Sequence, residues 1–397
     1  MADNGAKAVS QAPSRPRIAY VTTCRSDYGP AYWVIHDLFA DARLESLLIV
    51  GGSHLSARHG LTIREIEADG WPVTERVPFF QSSDDTSGFG ASMGEAVAGF
   101  STAFAKVRPS AVVVLGDRLE LLAVAIATVT TRTPLVHLCG GDVTEGALDE
   151  QVRHALTKIA HVHFPATETS AARILQMGEE AWRVHLVGDP ALDHFRRSEG
   201  VDPIELEAML GFLPGRDTLL VTQHAVTVAL DGSRREADEL AAALAEYPGS
   251  IVVTAPSPDP GSAAVREVMA GVVRARRNAV FAESLGSRRY RALLELVGAM
   301  VGNSSSGLIE AASAGLPVVN IGQRQQGRER GANVIDTLPE RSSIAAAIRR
   351  AVAPEFRESL AGIPNPYGDG RTSGRIVDVL ANLPGTERLL TKRFVST

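Results

Sequence analysis

"VGNSSSGLIEAASAGLPVVNIG", residues 301–322, sets an apolar run against Gly302, then three serines, then small helix-forming residues carrying one acid, Glu310, and a second apolar run ending at Gly322. Apolar runs without polar alternation, separated by a helix, are the pattern of strands covered on both faces of a parallel sheet. The polar break between them has two readings. Asn and Ser are natural N-caps and could simply close the strand and open the helix. A row of hydroxyls and free N–H groups at a helix start is also an anion site.

The same plan recurs outward along the chain. Before the quoted stretch lie "TLLVTQH" (218–224), "SIVVTAP" (250–256) and "AVFAESL" (279–285). The first half carries apolar runs at 17–23, 46–52, 110–116, 134–139, 161–166 and 184–188, with helical patterns at 30–40, 93–106, 118–130 and 149–160 between them. Residues 193–217 are charged and punctuated by Pro and Gly, which marks a domain boundary. The expected fold class is α/β, two doubly wound domains facing each other. In such sheets ligands bind beyond the carboxyl ends of the strands, here in a cleft between domains.

Composition sets the outer limits. The chain has 397 residues, 45% hydrophobic and 22% charged, as in a globular enzyme. A net charge of −6 offers no footprint for nucleic acid. Two cysteines, Cys24 and Cys139, make no disulfide framework and point to a reducing compartment. The longest apolar run, Leu121 to Val129, is too short to span a bilayer, so no membrane association is expected. Residues 1–16 lack the apolar core of a signal peptide and read as a disordered tail. A cytoplasmic location follows from these readings.

The chemistry concentrates where the strands end. The first run is followed by Arg25 and Asp27, the second by Ser53 and His54, the third by Asp117 and Arg118. The fourth opens into His137, Asp142, Glu145, Asp149, Arg153 and His154. In the second half come Gln223, His224 and Thr227, then Ser257, then Ser304 and Ser305, then Arg324 and Arg328. Each has a plain alternative: Asp149 as a dipole partner at a helix start, Asp142 as a turn cap, Arg324 and Arg328 as a solvated helix face. The joint pattern argues otherwise, because strand interiors stay apolar while nearly every strand end is ionisable. The first half supplies carboxylates and histidines suited to proton transfer. The second supplies hydroxyls, His224 and arginines suited to a diphosphate. His161 and His163 lack further ligands at metal spacing, so no metal is expected. There is no GxxxxGK[ST] loop, and the GxG pairs at 88–90 and 368–370 lack strand–helix context, so no cofactor is expected either. A diphosphate site beside an acid–base site points to a nucleotide-sugar substrate.

Six segments, in order and spacing, carry a resemblance. They are "CRSDYG" (24–29), "LGDR" (115–118), "GGDVTEGALDEQVRHALTK" (140–158), "QHAVT" (223–227), "GNSSSGLIEA" (302–311) and "NIGQRQQGR" (320–328). The chain resembles the UDP-N-acetylglucosamine 2-epimerase family over roughly residues 17–380, most nearly its hydrolysing branch. The resemblance implies a GT-B fold of two Rossmann-like domains, at 17–195 and 196–371, with residues 372–397 returning as a helix to the first domain. It implies elimination of UDP to a 2-acetamidoglucal and re-addition in the manno configuration. It implies that Arg25, His224, Ser304, Ser305, Glu310 and Arg324 hold UDP, with Glu310 on the ribose, and that Asp117 and Asp149 are catalytic with Arg118 alongside. A homodimer or homotetramer is expected. The chain departs from the family pattern at Cys139, where relatives carry Glu or His, at Asp142, where Glu is usual, and at Ala225 and Ser257. A GT-B glycosyltransferase, which would need an acceptor, and a non-catalytic nucleotide-sugar sensor are the alternatives.

Overall fold

The computed structural model describes residues 15–57, 60–79, 86–147, 149–226, 230–257 and 261–396. Most of the expected tail at 1–16, and Thr227, lie outside the described residues. The first sheet contains β1 (Arg17–Thr22), β2 (Glu45–Gly51), β3 (Val73–Val77), β4 (Ala111–Leu115), β5 (Leu135–Leu138) and β6 (Val162–Phe164), in the order β3-β2-β1-β4-β5-β6. The second contains β7 (Thr218–Thr222), β8 (Ser250–Thr254), β9 (Ala279–Ala282), β10 (Ala299–Gly302), β11 (Val318–Ile321) and β12 (Val334–Thr337), in the order β12-β11-β10-β7-β8-β9. All pairings are parallel. These are two Rossmann-like sheets in the GT-B arrangement.

Strand β1 shows why its sequence does not alternate. Ile18 and Tyr20 pack on one face with Val34, Ile35 and Leu38 of helix Tyr32–Ala40. Ala19 and Val21 pack on the other with Phe100 and Phe104 of helix Thr86–Val107. Both faces are dry, so every position is apolar. The quoted stretch is strand β10, the short helix Ser305–Ile309 with a following 3₁₀ turn, and strand β11. Gly302 sits at φ +136°, where a Cβ would strike the carbonyl of Thr222 on the neighbouring strand.

Three expectations change. Residues 184–188 are not a strand; Val184 makes a single parallel bridge to His163 before the chain leaves the sheet at Gly188. Strands β3 and β12 were not read from the sequence, because both are short edge strands with partly exposed, charged or polar positions. No helix directly follows Gly322; residues 324–327 are consecutive turns.

The C-terminal segment crosses back to the first sheet. Ile376, Val377 and Leu380 of helix Thr372–Ala381 join the core formed by Ile18 and Tyr20. The carboxylate of Asp193 accepts hydrogen bonds from the backbone N–H groups of Thr372 and Ser373, each at 2.8 Å, capping this helix from the crossover segment. Beyond it, Arg183 donates to the carbonyls of Leu389 (3.0 Å) and Thr391 (2.8 Å), and Lys392 pairs with Glu179 at 2.7 Å.

Candidate active site

Strand β4 is followed by Gly116, at φ +87°, and Asp117 comes next in this turn. Arg153 reaches it from helix Asp149–Ile159, with its guanidinium Nη2 on Asp117 Oδ2. The same guanidinium donates to Thr144 Oγ1 (2.8 Å), Glu150 Oε2 (2.8 Å) and the carbonyl of Asp142 (3.2 Å). Arg153 is only 1% exposed, so it orders the loop rather than meeting solvent. Burial opposes charge on Asp117, but Arg153 and Arg328 outweigh it and hold the carboxyl below its usual range. Asp117 is therefore ionised at neutral pH.

Arg328 arrives from the other half of the molecule. Its Nε lies 3.1 Å from Asp142 Oδ2 and 3.1 Å from Thr144 Oγ1, and its Nη2 lies 3.9 Å from Asp117. Its buried Nη1 has no partner among the described residues. The two halves also meet through the Glu145 N–H and the carbonyl of Gln326, at 3.1 Å. Gly146 allows this approach: a Cβ there would lie 2.6 Å from the Cα of Arg324.

On the second half, Asn303 organises the strand ends. Its Oδ1 accepts the His224 N–H (2.7 Å), its Nδ2 donates to the His224 carbonyl (3.0 Å), and its carbonyl accepts from Arg324 (3.2 Å) and Gln325 (2.9 Å). His224 Nδ1 accepts the backbone N–H of Ser257 at 3.0 Å. Burial, then the charges of Arg324 and Arg118, push the His224 pKa well down. The ring is consequently neutral with its proton on Nε2, a hydrogen-bond donor flanked by two guanidinium groups. A neutral ring with an Nε2–H donor near positive charge suits an anionic ligand.

Ser304 caps the helix, accepting the Ser306 N–H at 3.4 Å. The helix itself spans only Ser305–Ile309 before a 3₁₀ turn at Ala311–Ala314, so its dipole is small and the cations must supply most of the attraction for an anion. Glu310 follows directly. Burial chiefly, together with the nearby charge of Asp189, pushes its pKa up to about 7. Arg25 is exposed on the short helix after β1, and Asp149 stands half-buried one turn before Arg153. His154 rests on Glu150 at 2.8 Å.

Three expected site residues are buried and engaged within the first half. Asp27 is buried and accepts from Thr22 Oγ1, from Thr23 N (2.9 Å) and Oγ1 (2.8 Å), and from Cys24 N (3.1 Å). It holds the loop after β1 and is not placed to touch a ligand. His54 is fully buried between Thr22 (2.8 Å) and Thr62 (2.7 Å). His137 is fully buried beneath Gly140, donates through Nε2 to the Gly116 carbonyl at 2.7 Å, and is pushed by burial down to about 4. Its work is to fix the turn that carries Asp117. His161 and His163 are likewise used inside the fold: His161 Nδ1 accepts the Leu135 N–H at 3.1 Å, and His163 pairs with Glu179 at 3.1 Å. Among the described residues no His, Cys, Asp or Glu group is arranged to hold a metal ion.

Sequence reasoning missed Glu150 and took Asn303 only as a cap between strand and helix. The i, i+3 and i, i+4 spacing of Glu150 to Arg153 and His154 signals the first.

The model of the family described as UDP-N-acetylglucosamine 2-epimerase matches residues 36–381. The UDP-N,N'-diacetylbacillosamine 2-epimerase (hydrolyzing) of Legionella pneumophila is 34% identical over 377 residues, 95% of this chain and 98% of that protein. The GDP/UDP-N,N'-diacetylbacillosamine 2-epimerase (hydrolyzing) of Campylobacter jejuni is 32% identical over 384 residues, 96% and 99% of the two chains. In fold, the chain is similar to the crystal structure of UDP-GlcNAc 2-epimerase from Neisseria meningitidis bound to UDP-GlcNAc, with a TM-score of 0.78 and 18% identity across 92% of this chain and 100% of that one. With a matching family model over most of its length and two relatives above 30% identity along nearly the whole chain, the protein belongs to the UDP-N-acetylglucosamine 2-epimerase family and is a UDP-sugar 2-epimerase.

Proposed function

We propose that the protein converts a UDP-linked 2-acetamido sugar to the free 2-epimeric sugar and UDP. The observation that carries the chemistry is the joining of Asp117 and Asp142 by Arg328, which draws the proton-transfer half and the nucleotide half together around one volume. The diphosphate faces Arg324, Arg118 and the His224 Nε2–H, with Ser304 and Ser305 at its edge and Glu310 on the ribose. These donors stabilise negative charge on UDP as the C1–O bond breaks. Positive charge developing at C1 acidifies the C2 proton, so an ionised carboxylate such as Asp117 suffices as the base, with Asp142 and Asp149 beside it. Water then adds at C1 of the glycal.

The two bacterial relatives named for diacetylbacillosamine support a hydrolytic outcome and a 2,4-diacetamido-6-deoxy sugar as substrate, with UDP-GlcNAc as the comparison substrate. Incubating the protein separately with each UDP-sugar, without an acceptor, and following products by NMR tests both points. A 2-epimeric free sugar with ¹⁸O at C1 in H₂¹⁸O is the expected result. Unlabelled UDP-linked epimer would show that UDP returns, and consumption only on adding an acceptor would make the protein a glycosyltransferase.

A further inference from the structure

We propose that Arg328 is a positioning residue for the proton transfers. It reaches across from the second half and holds the carboxylates of Asp117 and Asp142 in one arrangement. The acid–base pair is therefore complete only while residues 323–328 are seated against residues 142–146. The inference rests on the 2-epimerase reading and deepens it, because it makes the base on one sheet depend on a loop of the other.

The two loops interlock along a seam. The Glu145 N–H donates to the Gln326 carbonyl at 3.1 Å. Glycine is needed on both sides: a Cβ on Gly146 would lie 2.6 Å from the Cα of Arg324, and a Cβ on Gly327, held at φ +86°, would strike Val143. The start of loop 323–328 is tied to the strand ends of its own half, where the Asn303 carbonyl accepts from Arg324 at 3.2 Å and from Gln325 at 2.9 Å. Arg328, four residues after Arg324, carries the contact on to the carboxylates of the first half.

Its Nε lies 3.1 Å from both Asp142 Oδ2 and Thr144 Oγ1, and its Nη2 lies 3.9 Å from Asp117 Oδ2. The side chain is 11% exposed. A guanidinium is planar and rigid, so one plane sets both carboxylates at once. The two acids differ in what else holds them. Asp117 also has Arg153 from its own half, whereas among the described residues the Asp142 carboxylate is ion-paired with Arg328 alone. The charged and titratable groups facing Asp117 are Arg153 from helix Asp149–Ile159, His137 from β5, and Arg328. His137 is kept neutral chiefly by burial. Burial works against charge on Asp117 itself, and the two arginines are the main counterweights. Of these, only Arg328 moves with the loop of the second half.

The plainer role for Arg328 is to hold the halves together, and pH profiles separate the two. A base must be ionised, so kcat/KM falls at low pH, and losing a cation 3.9 Å away makes that fall begin earlier. In Arg328→Gln the low-pH limb is expected to move upward by about one pH unit. Arg328→Lys keeps the charge but not the fork, and is expected to hold the limb near its wild-type place at a lowered rate. Gly327→Ala changes no ionisable group. By pushing the loop off Val143 it is expected to move the limb the same way, and the double variant is expected to move it no further than Arg328→Gln alone. Glu310, pushed up to about 7 chiefly by burial, contributes alike in every variant, so the differences between profiles report Asp117. A rate lowered equally at all pH with the limb unmoved in Arg328→Gln overturns the proposal, as does an unmoved limb in Gly327→Ala or an additive shift in the double variant. The ¹³C carboxyl titration of Asp117 reads the same displacement without turnover, and an unmoved midpoint in Arg328→Gln also overturns it. Absence of turnover by the wild-type enzyme on every UDP-2-acetamido sugar would instead sink the epimerase reading itself.

Discussion

At the scale of the residue, one backbone N–H decides what His224 can do. Because Ser257 N–H occupies Nδ1, and burial first and two guanidinium charges second oppose protonation, the ring stays neutral with hydrogen on Nε2. Its ¹⁵N resonances are expected to keep the Nε2–H pattern from about pH 5 to 8, with no titration near the usual histidine value; an imidazolium signal near neutrality would contradict this. Asp117 makes the complementary case. Asp117→Asn is expected to leave UDP affinity within about twofold by calorimetry and to lower kcat by roughly 10²–10⁴. Unaltered kcat would reduce Asp117 to a loop-ordering partner of Arg153. The types of these residues were legible in the sequence, but their roles were not. His224 and His54 lie just past strands and His137 within one, and only their partners show that His224 keeps a free Nε2 side while the other two hold turns.

At the scale of the element, the C-terminal segment is secured by buried charge as well as by packing. Glu179 receives His163, Lys158 (2.5 Å) and Lys392 (2.7 Å). Burial acts to raise its pKa, but these three partners hold it at about 2. A carboxylate whose folded pKa is depressed adds stability above its unfolded value, about 4.5, and loses it as pH falls through the folded one. The stability gap between wild type and Glu179→Gln is therefore expected to be constant above about pH 5 and to shrink between about 4.5 and 2, as measured by urea denaturation across pH. A gap independent of pH would show that the partners do not depend on the charge. The return of residues 372–381 to the first core was implied by family resemblance. The cap from Asp193, 179 residues away, was not legible, since nothing local in "DHFRR" marks it as a partner of Thr372.

At the scale of the whole molecule, function depends on how closely two halves approach. Gly146 lies against the backbone of Arg324, so a methyl group there must displace one half from the other. Gly146→Ala is expected to raise KM for the UDP-sugar several-fold and to lengthen the distance between the halves in solution scattering with UDP bound, while each half keeps its fold. Unchanged KM would mean that the loop yields locally. The sequence by itself determined the fold class and where in such a fold chemistry is to be sought. Apolar runs of strand length, free of alternation, require sheets covered on both faces, and such sheets expose their chemistry only beyond the strand ends. Tertiary structure alone decided which strand-end groups form the site. The ion pair of Arg153 with Asp117 spans 36 residues and the Arg328 to Thr144 hydrogen bond spans 184. The directions of these side chains follow turn dihedrals such as φ +87° at Gly116 and +61° at Cys139. Neither a turn angle nor a partner that far along the chain is encoded in local periodicity, because both arise only when the sheets have closed and the two halves meet.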